Sequence, residues 1–456
     1  MSEVQDVDVV VLGAGPAGEV AAGRLADDGL KVAIVEDRLV GGECSFWACM
    51  PSKALLRPYE ALAEVKRIPG AADAVTGELD VAAVLARRDE IIHDLDDDAQ
   101  LPWLKDRGIE LIRGHGRLSG ERRVVVNDEE IEARRAVFLA AGSAPAMPPI
   151  PGLDTIDGAW TNRDATITHE IPERLVVLGG GVVGVELSQA FQTLGSQVTL
   201  IEGARRLIPN EEEFACIQLT AALRELGVEI RTAQKAESIA QNADGTVTVT
   251  TTDGSDAVAD KVLVALGRTP LTKDLGVEVV GLEPGKTIHV DAHNRVPGHD
   301  WLYAIGDLNG KALFTHMGKY QARIAADHLL GHGHVVAHGA DGKLSPRVIF
   351  TEPQVAAVGH TQESAEAAGL IVDIVETETS GNAGGSYYGR NAPGTTRWIV
   401  DRERRIVVGC TMTGAEIADF LHAATIAIVS EVPVERLKHA VPSFPTRSEI
   451  WLKLAG

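Results

Sequence analysis

Cysteine is scarce in this chain, which has four in 456 residues. A disulfide-stapled scaffold needs a far higher cysteine density, so that class of secreted protein is excluded. Basic residues are also outnumbered, because 43 lysines and arginines face 65 acidic residues and the formal net charge is −22. Such a surface repels polyanions, so neither nucleic acid nor an anionic membrane face is expected as a partner.

Long apolar runs are missing as well. No stretch approaches the ~20 consecutive apolar residues that a membrane-spanning helix needs, although hydrophobic residues make up 45% of the chain and suffice for ordinary cores. The N-terminus, MSEVQDVDVVVLGAG, is acidic and then strand-like, unlike a signal peptide. We therefore predict a cytoplasmic protein of several domains with no membrane partner.

What the chain does contain is an internal repeat. VDVVVLGAGPAGEVAAGRLADDGLKVAIVED and ERLVVLGGGVVGVELSQAFQTLGSQVTLIEG both read as apolar strand, glycine-rich turn, helix, second strand and acid. The spacing from first glycine to closing acid is equal in the two copies. The residues are Gly13, Gly15, Gly18 and Glu36 in the first copy, and Gly179, Gly181, Gly184 and Glu202 in the second.

This repeat is typical of dinucleotide binding. The three glycines permit a tight turn, a close approach of backbone to pyrophosphate, and packing of helix on strand, while the acid accepts hydrogen bonds from a ribose. One copy alone is also compatible with a βαβ unit that uses glycines only for packing, but two equal copies favour two dinucleotide sites. Glu202 favours NADH, although Arg205 and Arg206 nearby suit the extra phosphate of NADPH.

Changes along the chain predict an α/β fold of several domains. AVFLAAGSAPAMPPIPG marks a boundary, KVLVALGRTP closes the second repeat, and strand-like runs with a helix from about residue 415 end the chain. We predict two Rossmann-like dinucleotide-binding domains and a separate C-terminal α+β domain. The predicted ranges are 1–150 and 271–344 for the first, 151–270 for the second and 345–456 for the third.

Cys44 and Cys49 lie in GGECSFWACMPSK, directly before a strong helix pattern. Five residues of regular helix rise roughly 7.5 Å, whereas a disulfide needs a Cα separation of about 4.4–6.8 Å. If the two cysteines bridge, the turn between them is therefore not regular helix. A metal clip is disfavoured because no second Cys or His pair stands at zinc spacing, so a reducible dithiol is the preferred interpretation.

Other candidate groups are weaker. His328, His332, His334 and His338 crowd one segment, but no Cys or carboxylate completes a metal-binding set, so we predict a solvated linker and no metal. Cys216 and Cys410 stand alone and are predicted to be small buried residues.

The whole chain resembles the flavin-dependent pyridine nucleotide-disulfide oxidoreductases. The motifs that carry the resemblance are GAGPAG, GGECSFWACMPSK, AAGSAP, GGGVVGVE, ALGRTP, AIGD and FTEPQVAAVG, in the family's order. The resemblance implies FAD in the first Rossmann-like domain, NAD(P)H in the second, and a small-molecule or disulfide acceptor. It also implies that the C-terminal α+β domain is a dimerisation domain, which in the homodimer closes the partner's site.

The resemblance also implies residue roles. The cofactor-binding residues are Gly13, Gly15, Gly18, Glu36, Gly142 and Asp307, with Gly179, Gly181, Gly184, Glu202 and Gly267. Cys49 faces the flavin and Cys44 exchanges with substrate. Lys53 pairs with Glu186 beside the flavin ring.

One position departs from the family pattern. Disulfide reductases of this family carry His-Pro-Thr-x-x-Glu near the C-terminus, and this chain has Phe444 at the His position while Glu449 matches. Phe cannot carry a proton, and general acid–base help is worth about 10²–10⁴-fold. His439 is an alternative base. Phe46 and Trp47, between the cysteines, either pack into the core or reshape the substrate side.

Three functions follow. The leading hypothesis is a dihydrolipoyl-dehydrogenase-like enzyme with an altered substrate side and a preference for NADH. The second is an NAD(P)H reductase of a quinone, metal ion or other small acceptor, which needs no disulfide-activating His. A mercuric-reductase-type relay is disfavoured because no cysteine follows Cys410. The third is a flavin-containing redox sensor without turnover.

Overall fold

The structure, a computed structural model, describes residues 7–332, 340–389, 392 and 394–454. Its helices are α1 Pro16–Asp27, α2 Gly42–Phe46, α3 Cys49–Arg67, α4 Val81–Ile91, α5 Leu101–Asp106, α6 Asn162–Ile167, α7 Val182–Thr193, α8 Glu213–Glu225, α9 Thr315–Leu330, α10 Gln362–Ala367, α11 Leu421–Val429, α12 Val434–Leu437 and α13 Trp451–Leu454. Within the described part of the chain, no helix is both long and apolar enough to cross a membrane.

The strands are also numbered in order along the chain. They are β1 Val7–Leu12, β2 Val32–Glu36, β3 Glu110–Arg113, β4 Gly116–Gly120, β5 Arg123–Val126, β6 Glu129–Leu139, β7 Ser143–Pro145, β8 Ala159–Trp160, β9 Arg174–Leu178, β10 Gln197–Glu202, β11 Glu229–Thr232, β12 Ala236–Gln241, β13 Val247–Thr251, β14 Asp256–Ala259, β15 Lys261–Val264, β16 Arg268–Pro270, β17 Leu302–Ala304, β18 Arg347–Ile349, β19 Gln354–Gly359, β20 Val372–Glu378, β21 Thr395–Asp401 and β22 Ile406–Gly414.

The chain divides into two compact units. The first contains the described residues of Met1–Pro51, Asp89–Ala146 and Arg268–Ala337. Its main sheet has the order β3-β2-β1-β6-β5-β4, with β17 beside β6. The strands β3, β2, β1, β6 and β17 pair in parallel, and β4 and β5 are antiparallel. An apolar cluster joins one face of the parallel part to α1, α5 and α9.

The second unit contains the described residues of Ser52–Arg88, Met147–Gly267 and His338–Gly456. Its parallel sheet has the order β11-β10-β9-β15-β8. Helices α7 and α8 pack on one face, and the antiparallel sheet β12-β13-β14 packs on the other. The two units thus repeat one plan, a parallel sheet between helices and an antiparallel sheet, as the α/β prediction requires.

A five-stranded antiparallel sheet, β18-β19-β22-β21-β20, forms the C-terminal part of the second unit. Residues of α11 and α13 complete its apolar core. The helix predicted from about residue 415 is wrong in position, because α11 begins at Leu421. Glu416 has a φ of 50°, which interrupts helix, and the amide of Ala418 is held by the side chain of Gln354 at 2.9 Å.

Candidate active site

The first and third glycines of the two repeats have the same backbone geometry. Gly13 and Gly179 both have a φ of +106°, and a Cβ at either would lie 2.5 Å from a carbonyl oxygen of the neighbouring strand's end. A Cβ at Gly18 would lie 1.9 Å from the carbonyl oxygen of Gly13, and one at Gly184 would lie 1.8 Å from that of Gly179. These glycines are therefore required by packing in both units.

The second glycine of each repeat faces open space instead. A Cβ at Gly15 or Gly181 would meet no atom within 4 Å. These residues are the N-caps of α1 and α7, and neither helix has a side-chain cap. The free N–H groups and the positive end of the helix dipole face a space without side chains, which fits a pyrophosphate in each repeat.

The closing acids also behave alike. Glu36 accepts a hydrogen bond from the amide of Ala14 at 2.8 Å, and Glu202 accepts one from the amide of Gly180. Each acid accepts a second from the amide two residues further on, at 2.9 and 2.6 Å respectively. Burial raises the pKa of Glu36, while these amides act in the opposite sense. The backbone thus fixes both carboxylates at the strand ends, where a ribose would lie.

Cys44 and Cys49 form a disulfide with a Cα separation of 4.7 Å. Helix α2 ends at Phe46 and α3 begins at Cys49, and the φ of −131° at Trp47 lies outside helical values. The prediction that a bridge excludes regular helix across the pair is confirmed. Phe46 is buried and so packs in the protein interior, whereas Trp47 is half-buried.

The disulfide loop packs directly on the first repeat. The amide of Gly41 donates to the carbonyl of Ala14 at 2.8 Å. A Cβ at Gly42 would lie 2.8 Å from the Cα of Gly15, so only glycine permits this approach of two backbone segments. The disulfide is thereby fixed next to the open space in front of α1.

A hydroxyl contacts the disulfide. The Sγ of Cys49 lies 3.4 Å from the Oγ1 of Thr315, the first residue of α9. Sequence reasoning missed Thr315, which is 266 positions from Cys49. Its only local signal is a threonine at the start of a helix pattern.

Two of the quoted motifs meet in the first unit. Strand β7 of AAGSAP pairs antiparallel with β16 of ALGRTP. Gly142 and Gly267, which precede these strands, have φ values of +74° and +115° and face open space. Positive φ and space for a ligand both favour glycine at these positions.

An arginine of the same motif links Asp307 to the disulfide loop. Arg268 donates to the hydroxyl and to the carbonyl of Ser143, both at 2.7 Å, and that hydroxyl donates to Asp307. Arg268 also lies 3.5 Å from Glu43, the residue before Cys44. Sequence reasoning took only the glycines of these motifs and missed this network, although Ser143 and Arg268 stand directly beside them.

In the second unit, Lys53 and Glu186 form an ion pair with 2.7 Å between Nζ and Oε2. The other oxygen of Glu186 accepts the amide of Phe350 at 2.9 Å. The Lys53 ammonium also lies 4.7 Å from the centroid of the Phe350 ring. Glu186 is almost fully buried, while the lysine side chain is 34% exposed. Both oxygens of this buried carboxylate thus have a hydrogen-bond donor, which offsets the cost of its burial.

The C-terminal segment presents Phe444 to the surface, with 75% of its area exposed. Arg447 fixes this segment, because its guanidinium lies 3.8 Å from the centroid of the Tyr388 ring and donates to the carbonyl oxygens of Ala415 and Glu416. Phe444 is therefore a large exposed aromatic on an anchored turn. Isolated exposed aromatics of this kind are common in contact surfaces.

In the described part of the chain, neither candidate base has an ion-pair partner. One carboxylate oxygen of Glu449, Oε2, is buried and has no hydrogen-bond partner among the described residues. The imidazole of His439 is exposed and, within the same residues, contacts no acid. Among the described residues, no imidazole contacts Glu449 in the place of the His that Phe444 replaces.

The remaining candidates have ordinary surroundings. The Nδ1 of His328 lies 2.8 Å from the hydroxyl of Tyr303, and His332 lies 3.9 Å from Asp28. His334 and His338 lie outside the described residues. Cys216 and Cys410 are buried, as predicted, and burial raises the pKa of Cys216 to about 11.

Two dinucleotide-type sites and a disulfide at a helix start define a class of redox proteins. Residues 7–328 match the family described as pyridine nucleotide-disulphide oxidoreductase, and residues 345–455 match the dimerisation domain of that family. The chain belongs to this family. Its members bind FAD, use NAD(P)H and carry a redox-active disulfide, and the dimerisation domain supports homodimer formation.

The relatives span essentially the whole chain. The dihydrolipoyl dehydrogenase of Thermus scotoductus is 33% identical over 97% of this chain and 95% of the relative. The mercuric reductase of Staphylococcus aureus is 29% identical over 99% of this chain and 82% of the relative.

Two solved structures share the fold at 25% identity. The Cu(II) complex of the HOCl-induced flavoprotein disulfide reductase RclA from Escherichia coli has a TM-score of 0.84 and covers 97% of this chain and 98% of that one. LpdA from Mycobacterium tuberculosis has a TM-score of 0.86 and 98% coverage of both chains.

Proposed function

We propose that this chain is an FAD-dependent oxidoreductase that takes electrons from NADH and passes them through the Cys44–Cys49 disulfide, with a substrate side that differs from that of dihydrolipoyl dehydrogenase. The observation that carries the proposal is the disulfide itself, which packs on the first glycine repeat. When bound, FAD supplies the transfer of an electron pair between the nicotinamide and the disulfide. A cytoplasmic location stays a prediction.

Each repeat holds one dinucleotide in this proposal. The open space at Gly15 and at Gly181 admits a pyrophosphate, and Glu36 and Glu202 hold the riboses. Asp307, held through Ser143 by Arg268, binds the flavin-side part of FAD. The remaining cofactor-binding residues are Gly13, Gly18, Gly142, Gly179, Gly184 and Gly267. Lys53, with its charge balanced by Glu186, acts beside the reactive ring.

NADH is the preferred donor. The Glu202 carboxylate is fixed by two backbone amides and would repel a ribose phosphate. Arg205 is exposed and has no described partner, whereas Arg206 lies 3.9 Å from Glu213. Of the two arginines, Arg205 is thus the one without a partner among the described residues. A higher kcat/KM with NADH than with NADPH is expected, and an equal or lower value would show that the arginines dominate.

The substrate side is built around Phe444. In the homodimer, this exposed side chain on its Arg447-anchored turn closes the site of the partner subunit at the place of the family's His. Cys44 then exchanges with substrate without that base. The second candidate, reduction of a quinone or a metal ion, is favoured by the same observation, because such acceptors need no proton transfer to a leaving thiol. A Cu(II) complex of RclA and a mercuric reductase among the relatives agree with it.

Kinetics with a panel of acceptors tests the proposal. We expect rapid flavin reduction by NADH in stopped flow, uptake of a second electron pair by the disulfide, and weak lipoamide turnover that rises as pH approaches the free thiol pKa of about 8.5. Phe444→His should raise lipoamide turnover by at most about 10²–10⁴-fold. Brisk lipoamide turnover by the unaltered protein at neutral pH would refute the altered substrate side.

Cys44→Ser separates the two candidates. If electrons leave through the disulfide, this variant loses turnover with every acceptor while the flavin is still reduced by NADH. If quinone or Cu(II) reduction survives in Cys44→Ser, the second candidate replaces the first. Absence of turnover with lipoamide, quinones, Cu(II) and Hg(II) would favour the redox sensor.

A further inference from the structure

The FTEPQ segment, residues 350–354, connects β18 to β19 in the second unit. Its residues are buried from Thr351 onward. Connections between strands normally run over the surface, because their backbone N–H and C=O groups need hydrogen-bond partners. A buried connection must find these partners on neighbouring elements, so the contacts of this segment show which elements it joins.

Helix α7 holds the backbone of the FTEPQ segment. One carboxylate oxygen of Glu186 accepts a hydrogen bond from the amide of Phe350 at 2.9 Å. The side-chain oxygen of Gln189 accepts one from the amide of Glu352 at 2.8 Å. Residues three apart lie on the same face of a helix, so one face of α7 binds alternate amides of the segment. The segment is thereby fixed to the acid that pairs with Lys53.

The same segment contacts α3. The ring centroid of Phe350 lies 4.7 Å from the ammonium of Lys53, which is within the range of a cation–π interaction. The side chain of Gln354 donates to Glu60 at 2.6 Å. Lys53 and Glu60 are seven residues apart and therefore lie on one face of α3. Phe350 thus touches both members of the Lys53–Glu186 pair, the acid through its amide and the lysine through its ring.

Glu352 holds the far end of α3. It forms an ion pair at 2.6 Å with Arg67, the last residue of that helix, and the two side chains are 5% and 16% exposed respectively. The second oxygen of Glu352, and Nε and Nη2 of Arg67, are buried without a hydrogen-bond partner among the described residues. Loss of Glu352 would therefore leave a buried guanidinium without its counter-ion. Because Arg67 lies about 20 Å along the helix from Lys53, the pair fixes α3 at the end opposite the lysine.

We propose that Phe350 and Glu352 are positioning residues, which hold the Lys53 ammonium against Glu186. The assignment rests on the proposed function, in which Lys53 acts beside the reactive ring. Phe350 acts on the pair directly. Glu352 acts through α3, because it keeps the helix from sliding or tilting away from α7. The FTEPQ segment therefore sets where the positive charge of Lys53 lies.

Acetylation of Lys53 in the full-length, FAD-loaded protein tests the assignment. Sulfosuccinimidyl acetate modifies accessible amines, and mass spectrometry gives the rate at each lysine. We expect Phe350→Leu to raise the rate at Lys53 about fivefold, the equivalent of one cation–π contact, and Glu352→Ala to raise it about twofold or more. Phe350→Tyr keeps the ring and should show the rate of the unaltered protein. Lys66, exposed on the same helix, is the internal reference.

The Arg347–Glu211 ion pair provides a matched control. It has the same length of 2.6 Å, its side chains are 15% and 9% exposed, and the second oxygen of Glu211 is also buried without a partner among the described residues. It joins β18 to the loop before α8 and not to α3. Glu211→Ala should therefore destabilise the protein as Glu352→Ala does, yet leave the Lys53 rate unchanged. Equal Lys53 rates in these two variants, or an unchanged rate in Phe350→Leu, would overturn the assignment.

The result is separable from that of the proposed function. The acetylation assay uses neither NADH nor an acceptor, so a negative result leaves electron transfer through the disulfide standing. The midpoint potential of the bound flavin tests the shared premise, and Phe350→Leu should shift it in the same direction as Lys53→Met. If Lys53→Met leaves the potential unchanged, Lys53 has no role beside the ring, and the acetylation result still decides the positioning. If Phe350→Leu or Glu352→Ala does not fold, Phe350→Met or Glu352→Gln takes its place.

Discussion

The two repeat helices, α1 and α7, have matching glycines but bury their glutamates differently. Glu19, in α1, is half-buried, and burial raises its pKa from 4.5 to about 7, although the charge of Lys319 opposes the shift. No hydrogen-bond donor lies on its carboxylate among the described residues. Glu186, in α7, is 3% exposed and is paired with Lys53 and with a backbone amide.

The difference shows what dinucleotide binding constrains and what it leaves free. Both helices begin with the same glycine geometry, because a strand lies on one side of that turn and, in the proposed function, a pyrophosphate lies on the other. One turn later the constraint ends, and the helices diverge. A carboxylate there either has a specific partner, as Glu186 does, or is held closer to its neutral form, as Glu19 is. Sequence similarity between the copies is thus strongest where backbone meets ligand.

The largest expected effect comes from the third glycine of each repeat, which packs in the same way in α1 and α7. Gly18→Ala and Gly184→Ala each place a methyl group less than 2 Å from a backbone carbonyl oxygen. Each should lower the free energy of unfolding by about 4 kcal/mol or more, since the backbone must move. Denaturant midpoints of the purified variants measure this. Gly77→Ala is the control, because a Cβ there meets no atom within 4 Å. Equal midpoints for Gly18→Ala and Gly77→Ala would contradict the packing role.

The sequence predicts the local features of the candidate site but not the contacts between residues that are distant in the chain. The glycine turns, the closing acids and the disulfide's non-helical turn are local features, because they depend on backbone geometry within a short stretch of chain. Thr315 and Arg268 are not local features. Thr315 meets Cys49 across 266 positions, and Arg268 reaches Ser143 across 125. No periodicity links such residues, so only the folded chain shows their contacts.

The start of α11 at Leu421 shows a second limit of prediction from sequence, which concerns helix boundaries. An apolar stretch predicts a helix but does not reveal where the strand before it ends. Here β22 runs to Gly414, and the positive φ of Glu416 delays the helix by one turn and a half. The exposure of Phe444 is likewise invisible in sequence, because burial depends on contacts such as that of Arg447 with Tyr388, which only the folded chain shows.

The second-largest expected effect comes from removing Lys53, the partner that Glu186 has and Glu19 lacks. Lys53→Met leaves the buried Glu186 with the Phe350 amide as its one remaining partner among the described residues. The loss should cost about 2–3 kcal/mol, less than for a fully buried pair, because the lysine is partly exposed. The double variant Lys53→Met, Glu186→Leu should recover most of that loss, with about 1 kcal/mol left for the unpaired amide. Denaturant unfolding of the single and double variants gives both values. A double variant less stable than Lys53→Met would mean that Glu186 stabilises the fold through its other contacts, such as the Phe350 amide, even without Lys53.

A smaller effect concerns Glu19 and depends on pH. Its pKa is raised from 4.5 to about 7 in the folded state, so the folded state binds the extra proton more tightly. The stabilising contribution is complete below pH 4.5 and is lost as pH rises through 7. Glu19→Gln should therefore match the unaltered protein near pH 4.5 and be about 1–2 kcal/mol more stable at pH 8. A stability difference that is equal at the two pH values would argue against a buried, unpaired carboxylate.

The smallest effect on stability, and the sharpest on function, is expected at the second glycines. Gly15→Ala and Gly181→Ala place a methyl group in open space, so unfolding should change by less than about 1 kcal/mol. The methyl group keeps a phosphate from the helix amides, and losing one hydrogen bond to a charged group weakens binding about tenfold or more. Gly15→Ala should lose FAD on gel filtration. Gly181→Ala should keep its FAD and show a raised KM for NADH. If both variants lose the same cofactor, the two repeats do not hold separate dinucleotides.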